Sequence, residues 1–463
     1  MLNLVEPDVV ERVLAIALRN GGDFAELFAE DRRSIGAVLD DGRIEELSSG
    51  RDRGAGVRVV VGDTTGYAHT ADLTEHGLAE AALAASSVAK GGVGRVVSLA
   101  GPGPVPESAA RIVPERVAKT VKVALLTRAD AAARSSGDAI TQVSVSYGDS
   151  RRRVLVASSE GLMATDDQVR TRMSVSCVAS GDTGMQTGFE STAMTVGFEL
   201  FDDVDVEDLA RTAARRAIAK LSARPAPTGE LPVVLASGSG GILFHEACGH
   251  GLEADHIVKD ASVYVGRVGE LVASPLVTLV DDGTLTTEWG TSVIDDEGHV
   301  ARRNVLIEDG ELTDYMWDLL RARKAGRASS GNGRRQSYRD LPMVRMTNTF
   351  VLPGPEDPEE IVRQTPRGIY VAKLGGGQVN TATGDFVFGT TEAYLIEGGR
   401  IAEPLRDANL IGNGPEVLRR VDAVGSDFGT SPGTCGKDGQ NVPVGTGQPT
   451  LRVSAITIGG TAT

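Results

Sequence analysis

The chain has 463 residues, 41% hydrophobic and 24% charged, a composition that suits a globular protein with sizeable cores. Asp and Glu number 63 against 47 Lys and Arg, a formal net charge of −16, so neither the basic footprint of a nucleic-acid binder nor an attraction to anionic membrane is present. Three cysteines exclude a disulfide scaffold and suit a reducing compartment, while 57 glycines point to many tight turns and close backbone approaches.

The segment Met1–Pro7 has neither a basic nor an apolar stretch, so no signal peptide is expected. No apolar run approaches the roughly 18 residues of a membrane span, and the cytoplasm is the expected location. A first helix is predicted from Pro7, with Val9, Val10, Val13, Leu14, Ala17 and Leu18 at helical spacing, ended by Gly21 and Gly22. Val57, Val59 and Val61 then alternate as a strand before a turn at Gly62-Asp63. A helix over 72–90 follows, then a Gly- and Pro-rich loop over 91–114 and an amphipathic helix over 114–134.

From Ile140 to Leu200 the pattern is strand-like. Val169, Thr171, Met173, Val175 and Cys177 alternate with Arg170, Arg172, Ser174 and Ser176, as in a sheet buried on one face, which makes Cys177 a core residue. A helix over 205–221 ends this half. The stretch from Ser222 to Glu230, rich in proline and offering little to bury, reads as a domain boundary. Beyond it come a strand over 231–236, the run Ser237–Gly241 and a short helix from about Ile242, after which the chain is mostly β. The expected fold is α+β: a helix-and-sheet domain over 1–224, then a strand-rich domain over 225–463 carrying a short metal-binding helix.

The run Phe244-His245-Glu246-Ala247-Cys248-Gly249-His250 holds an H-E-x-x-x-H arrangement. In H-E-x-x-H both imidazoles share a helix face, whereas positions i and i+5 lie about 140° apart on a regular helix. Gly249 and Gly251 allow the helix to loosen or end there, so that His250 swings back toward His245. A catalytic zinc typically takes three protein ligands and leaves one position for water. Cys248 is expected to point to another side of the helix. Cys435, in the glycine-flanked polar run Gly433–Gln440, is the candidate third ligand, with an incidental surface thiol as the plainer alternative. In this arrangement His245, His250 and Cys435 hold Zn²⁺, and Glu246 is general base on a metal-activated water. Glu253 and Asp255 are candidates for fixing an imidazole tautomer, or are ordinary solvated charges. His256 is a spare candidate ligand, more simply an exposed residue or a neighbour of the ligands.

With these residues in place the chain resembles the TldD/PmbA family of zinc peptidases, on the TldD side. The resemblance covers nearly the whole chain, including Gly22–Glu26, Gly54–Arg58, the H-E-x-x-x-H block, Gly331–Arg335, Arg345–Thr349, Gly375–Val379, Cys435–Lys437 and Pro443–Gly445. It implies a metalloprotease acting on peptides or unfolded segments, paired with a homologous PmbA/TldE-like subunit that lacks the ligands, or a homodimer when alone. The family's usual Leu-Glu-Gly-Asp reads Leu252-Glu253-Ala254-Asp255 here, and Asn380 stands where an aspartate is usual. Two other readings stay open: an amidase for a small aminoacylated or peptidic natural product, and a non-catalytic scaffold stabilised by metal.

Weaker signals complete the picture. Gly375, Gly376 and Gly377, followed by Asn380, would let a peptide backbone approach a strand edge; a glycine-rich turn or bulge is the alternative. No phosphate loop is present. Asp281-Asp282 and Asp295-Asp296 read as turn residues rather than a second metal site. Arg334, Arg335 and Arg339 form a basic cluster suited to a substrate carboxylate or to a subunit interface.

Overall fold

A computed structural model describes residues 4–92, 94–100, 110–182 and 184–459. The loop expected over 91–114 falls partly on residues 93 and 101–109, which lie outside the described residues.

The first half is built on one antiparallel sheet of strands β1 (Phe24–Asp40), β2 (Arg43–Val61), β3 (Thr64–Thr70), β4 (Ile140–Ser158), β5 (Met163–Gly181) and β6 (Gly184–Met194), in the order β3-β2-β1-β4-β5-β6. The four central strands run 17 to 19 residues, long enough for one face to carry two helix pairs side by side. Helices Pro7–Ala17 and Glu75–Ser86 cover Leu27, Val57 and Leu155 at one end. Helices Lys119–Arg134 and Val206–Leu221 cover Val145, Val175 and Cys177 at the other. Cys177 is thus the core residue expected, and burial raises its thiol to about 11.

The alternation that fills this core sends Glu26, Phe28, Glu30 and Arg32 of β1 to the opposite face. The expectation of a sheet buried on one side only needs correction there. Phe28, Val154 and Val156 pack against Ile294 and Tyr338 of the second half, and Arg170 is itself buried.

The second half contains two larger sheets. One joins β7 (Arg224–Pro225), β8 (Gly229–Leu235), β15 (Arg367–Val379), β16 (Asp385–Glu397), β17 (Arg400–Arg406), β18 (Asn409–Asn413) and β22 (Leu451–Gly459) in the order β15-β8-β22-β18-β16-β17-β7, with β19 (Val421–Val424) beside β22. The other runs β11-β10-β9-β14-β21-β20, from β9 (Leu279–Asp282), β10 (Arg303–Glu308), β11 (Glu311–Leu312), β14 (Asn348–Val351), β20 (Gly429–Lys437) and β21 (Gln440–Gln448). A two-stranded ribbon pairs β12 (Gly333–Arg334) with β13 (Met343–Val344). Val233, Ile369 and Val453 of the first sheet and Leu279, Leu306 and Val351 of the second share one core, which also takes in Leu243 and Phe244 of the helix Gly241–Ala247.

The fold class is α+β, as expected. The connector Ser222–Glu230 is more firmly held than its composition suggested. Arg224 and Pro225 pair in parallel with Leu405 and Arg406, Ala226 N donates to Arg406 O at 3.0 Å, and Ala223 and Ala226 are buried. No described helix is long and apolar enough to cross a membrane.

Candidate metal centre

The helix that carries His245 starts at Gly241, where a side chain would collide with the β21 backbone: a Cβ there would lie 2.2 Å from Gly447 N. Glycine therefore lets the helix axis sit directly on the sheet. The helix ends at Ala247, and Cys248, at φ −127° and ψ −50°, leaves helical geometry. A 3₁₀ turn over Gly249–Leu252 follows and brings His250 back toward His245. The two rings end 5.2 Å apart, nearly perpendicular. Gly249 and Gly251 serve this turn by close approach rather than by unusual dihedrals. Cβ atoms there would lie 2.2 Å from Met346 Sδ and 2.9 Å from the Tyr264 ring.

Cys435 is not in a loop, as its glycine-rich surroundings suggested, but on β20, paired with Val442 of β21. It is buried, and its Sγ lies 3.3 Å from His250 Nε2. The ligand atoms of His245, His250 and Cys435 all fall within 4.8 Å of one another. Arg345, fully buried, fixes the hairpin from behind, donating to the backbone oxygens of Cys435 at 2.5 Å and Gln440 at 3.2 Å.

Charge is organised around His250. Its Nδ1 lies 3.0 Å from Glu253 Oε2, and the same oxygen accepts from Lys437 Nζ at 2.8 Å. Lys437 also donates to Asp255 at 2.8 Å and to Val344 O at 3.2 Å. Burial works to raise Glu253, but the neighbouring His250 and Lys437 outweigh it and hold the carboxyl at about 2. Burial likewise works against charge on His250, and Glu253 with Cys435 more than reverses this. The Cys435 thiol, disfavoured as thiolate by burial, is brought down to about 4 by His245 and His250. Glu246 is partly open, its Oε2 3.7 Å from His250 Nε2.

Both ring nitrogens of His245 are buried and lack a hydrogen-bond partner among the described residues. Two orphaned imidazole nitrogens beside a thiol prone to ionise form a donor set that a thiophilic divalent ion fits and a hard oxygen-seeking one does not. Cys248 stands apart, buried beside Tyr264, with its thiol pushed up by burial to about 12. His256 lies 3.8 Å from Glu253 and does not join the three.

Of the expected residues, His245, Glu246, His250, Cys435 and Glu253 come together. Asp255 forms no hydrogen bond with His245 or His250 among the described residues; it meets Lys437 and lies near Glu253 and His256. Lys437 was overlooked, although its place two residues after Cys435 on a strand puts both on one face. Gly375, Gly376 and Gly377 lie in β15 where its pairing with β16 is bulged, and a Cβ at Gly377 would meet Phe388 at 2.1 Å. Asn380 caps the hairpin's turn, its side chain accepting from Ala382 N at 3.1 Å. Among the described residues no hydrogen bond ties this hairpin to the three ligand candidates; its link to the site is Ser239 Oγ, ahead of the helix, which accepts from Leu374 N at 3.0 Å.

The acidic pairs divide by role. Asp282 and Asp295 do cap turns, through Thr284 N and through Glu297 N and His299 N. Asp281 and Asp296 are instead buried braces: Asp281 accepts from Thr347, Thr349 and Asn332, and Asp296 from Arg152 and Arg335 N. The arginines resolve too. Arg335 pairs with buried Glu26 and Arg339 with Asp52, both within the chain, whereas Arg334 meets only backbone oxygens.

Comparison with known proteins places the chain among metallopeptidases. Family models described as PmbA/TldA metallopeptidase domain 1, central domain and C-terminal domain match residues 25–89, 112–221 and 228–460. A metalloprotease TldD homolog of Haemophilus influenzae is 40% identical over 95% of this chain and 93% of its own. A zinc metalloprotease TldD homolog of Saccharolobus solfataricus is 32% identical over 69% of this chain and 72% of its own. The crystal structure of TldE from Thermococcus kodakarensis shares the fold, with a TM-score of 0.77 at 22% identity over 98% of this chain and all of that one.

Proposed function

The chain belongs to the PmbA/TldA metallopeptidase family, and on that premise we propose that it hydrolyses peptide bonds in peptides or unfolded segments. His245, His250 and Cys435 would hold Zn²⁺, which when bound supplies Lewis acidity toward a peptide carbonyl and an attacking water. Glu246, partly open beside His250, would serve as base toward the attacking water and return the proton to the leaving nitrogen. Glu253 holds His250 by Nδ1 so that Nε2 faces Cys435, and Lys437 keeps Glu253 ionised and in place.

The observation that carries this reading is the buried, unpartnered His245 ring beside His250 and Cys435. The partly open Glu246 and the absence of Cys248 and His256 from the ligand group favour catalysis over a scaffold, which would call for a fourth protein ligand. In the proposed division, residues 1–224 form a helix-and-sheet domain and 225–463 carry the chemistry. A TldE-like subunit is the proposed partner, supported by the shared fold of the Thermococcus kodakarensis protein. Three free thiols support a reducing compartment, the cytoplasm.

Metal analysis of the full chain and of Cys435→Ser tests the reading, alongside a peptide-cleavage assay with and without the partner subunit. Zinc bound by the wild type and largely lost from the variant, together with cleavage, is expected. Equal metal content in the two overturns the ligand assignment.

A further inference from the structure

A cavity of about 560 Å³ lies where the helix-free face of the N-terminal sheet meets the second half of the chain. Its floor follows from strand register. Arg32, Arg152 and Gln168 form one row across β1, β4 and β5; Ser34, Ser150 and Arg170 form the next; Gly36, Gly148 and Arg172 form the third. Serine and glycine in the second and third rows leave open the volume that larger side chains would fill. A Cβ at Gly148 would lie 2.9 Å from Arg172 Nε, so glycine is what lets that guanidinium lie across the sheet. Arg334 closes the cavity from the other side, donating to Met346 O at 2.6 Å and Pro443 O at 2.8 Å.

In a chain of net charge −16, four of these arginines form no ion pair among the described residues, although Glu30 and Asp52 act on Arg32 from a distance. Arg170 donates to Gln168 and to the backbone oxygens of Trp289 and Thr291, Arg334 meets two carbonyls, and Arg32 and Arg172 form no ion pair among the described residues. Structural arginines of the same region are treated differently: Arg51, Arg58, Arg152 and Arg335 all meet acids. Burial and nearby cations lower Arg170 to about 9, and burial lowers Arg334 to about 10, against the partial offset of Asp166 at Arg170 and of Asp296 and Asp281 at Arg334; of the acids in the lining, Asp149 and Asp296 are themselves taken up by Lys122 and Arg152.

Successive rows on one strand face are about 6.5 Å apart and neighbouring strands about 4.8 Å, so the cationic heads spread over more than about 10 Å. That spread suits several carboxylates along an extended chain better than one compact anion. The wall also includes Thr434 and Pro443 of the β20–β21 hairpin, and strand alternation puts the neighbouring Cys435 on the opposite side, toward His250. The cavity and the candidate metal centre thus share one hairpin.

We propose that this cavity is a subsite for acidic peptide segments, taking Asp and Glu side chains or a C-terminal carboxylate on Arg32, Arg170, Arg172 and Arg334. The peptide identity of the ligand rests on the hydrolase reading above. Guanidinium–carboxylate pairing in a partly desolvated cavity supplies the affinity, and its bidentate geometry favours carboxylate ends over neutral amides.

Fluorescence anisotropy on the full-length Glu246→Gln protein tests the proposal, using a short labelled Glu/Ala peptide and its Gln/Ala counterpart. The acidic peptide is expected to bind about tenfold or more tighter, with the preference fading as salt is added. Arg32→Gln/Arg172→Gln, whose exposed heads make no structural bonds, is expected to abolish the preference, and Arg172→Lys to retain part of it. Equal affinity for both peptides, or a preference unchanged in the double variant, overturns the proposal. So does a short oligothymidylate that binds at the same arginines more tightly than the acidic peptide. Arginine-dependent binding without cleavage of either peptide by the wild type and its partner would sink the hydrolase reading and leave the subsite standing. Cleavage of both with no difference in binding would do the reverse.

Discussion

Glu253 illustrates how one buried side chain sets up its neighbours. Fully buried, it survives as a carboxylate because His250 and Lys437 both meet its Oε2. Glu253→Gln removes the charge that orients His250 while keeping the shape. It is expected to weaken zinc binding about 10- to 100-fold, read by competition with a chromophoric chelator. Unchanged affinity would mean that Glu253 serves packing alone. That His245 and His250 would approach each other was legible in the sequence, because Gly249 and Gly251 offered the break that the stretched H-E-x-x-x-H spacing needs. What surrounds it was not. Arg345 and Lys437 reach the site through folding distances that no local pattern encodes, and Asp255 looked equivalent to Glu253 although of the two it is Glu253 that hydrogen-bonds His250.

The helix Gly241–Ala247 delivers His245 and Glu246 only because it lies against bare backbone. Gly241→Ala forces a methyl into Gly447 N of β21, so that strand or helix must shift. A loss of about 1–3 kcal/mol is expected from overpacking, seen as a lower urea midpoint, together with reduced zinc retention as His245 shifts. An unchanged midpoint would contradict the packing described. Periodicity foretold the first helix, the helix over 205–221 and the strand around Val57–Val61, since each turns an apolar stripe toward one of the two cores on the helix-covered face of the sheet. The β20–β21 hairpin escaped because Gly433, Cys435 and Gly436 mask the strand alternation. A clue was present nonetheless in the dipeptide Asp438-Gly439, which suits a two-residue hairpin turn and takes positive φ at both residues in the structure.

The halves of the molecule are locked by buried charge. Glu26 of the first sheet pairs with Arg58 beside it and with Arg335 across the junction, and Arg58 also reaches Glu297 at 2.8 Å. Arg152 spans from Glu30 to Asp296 in the same way. Glu26→Gln leaves two buried guanidiniums undercompensated, a loss of about 3–5 kcal/mol by the usual behaviour of broken buried pairs. Chemical denaturation should show the lower midpoint, and a loss no larger than that of an exposed pair would contradict this view of the junction. Sequence could not anticipate the lock, since Glu26 and Arg335 stand 309 positions apart and either alone reads as a surface charge. The arginine-lined cavity is hidden for the same reason, because its rows exist only once β1, β4 and β5 are in register. Function at this scale comes down to whether the assembled molecule cleaves peptides through Glu246. The decisive measurement is the cleavage rate of the zinc-loaded full chain with the proposed TldE-like subunit, wild type against Glu246→Gln at matched zinc content. The account predicts a rate lower by about 10²- to 10⁴-fold with the metal retained; cleavage at the wild-type rate by the variant would contradict it.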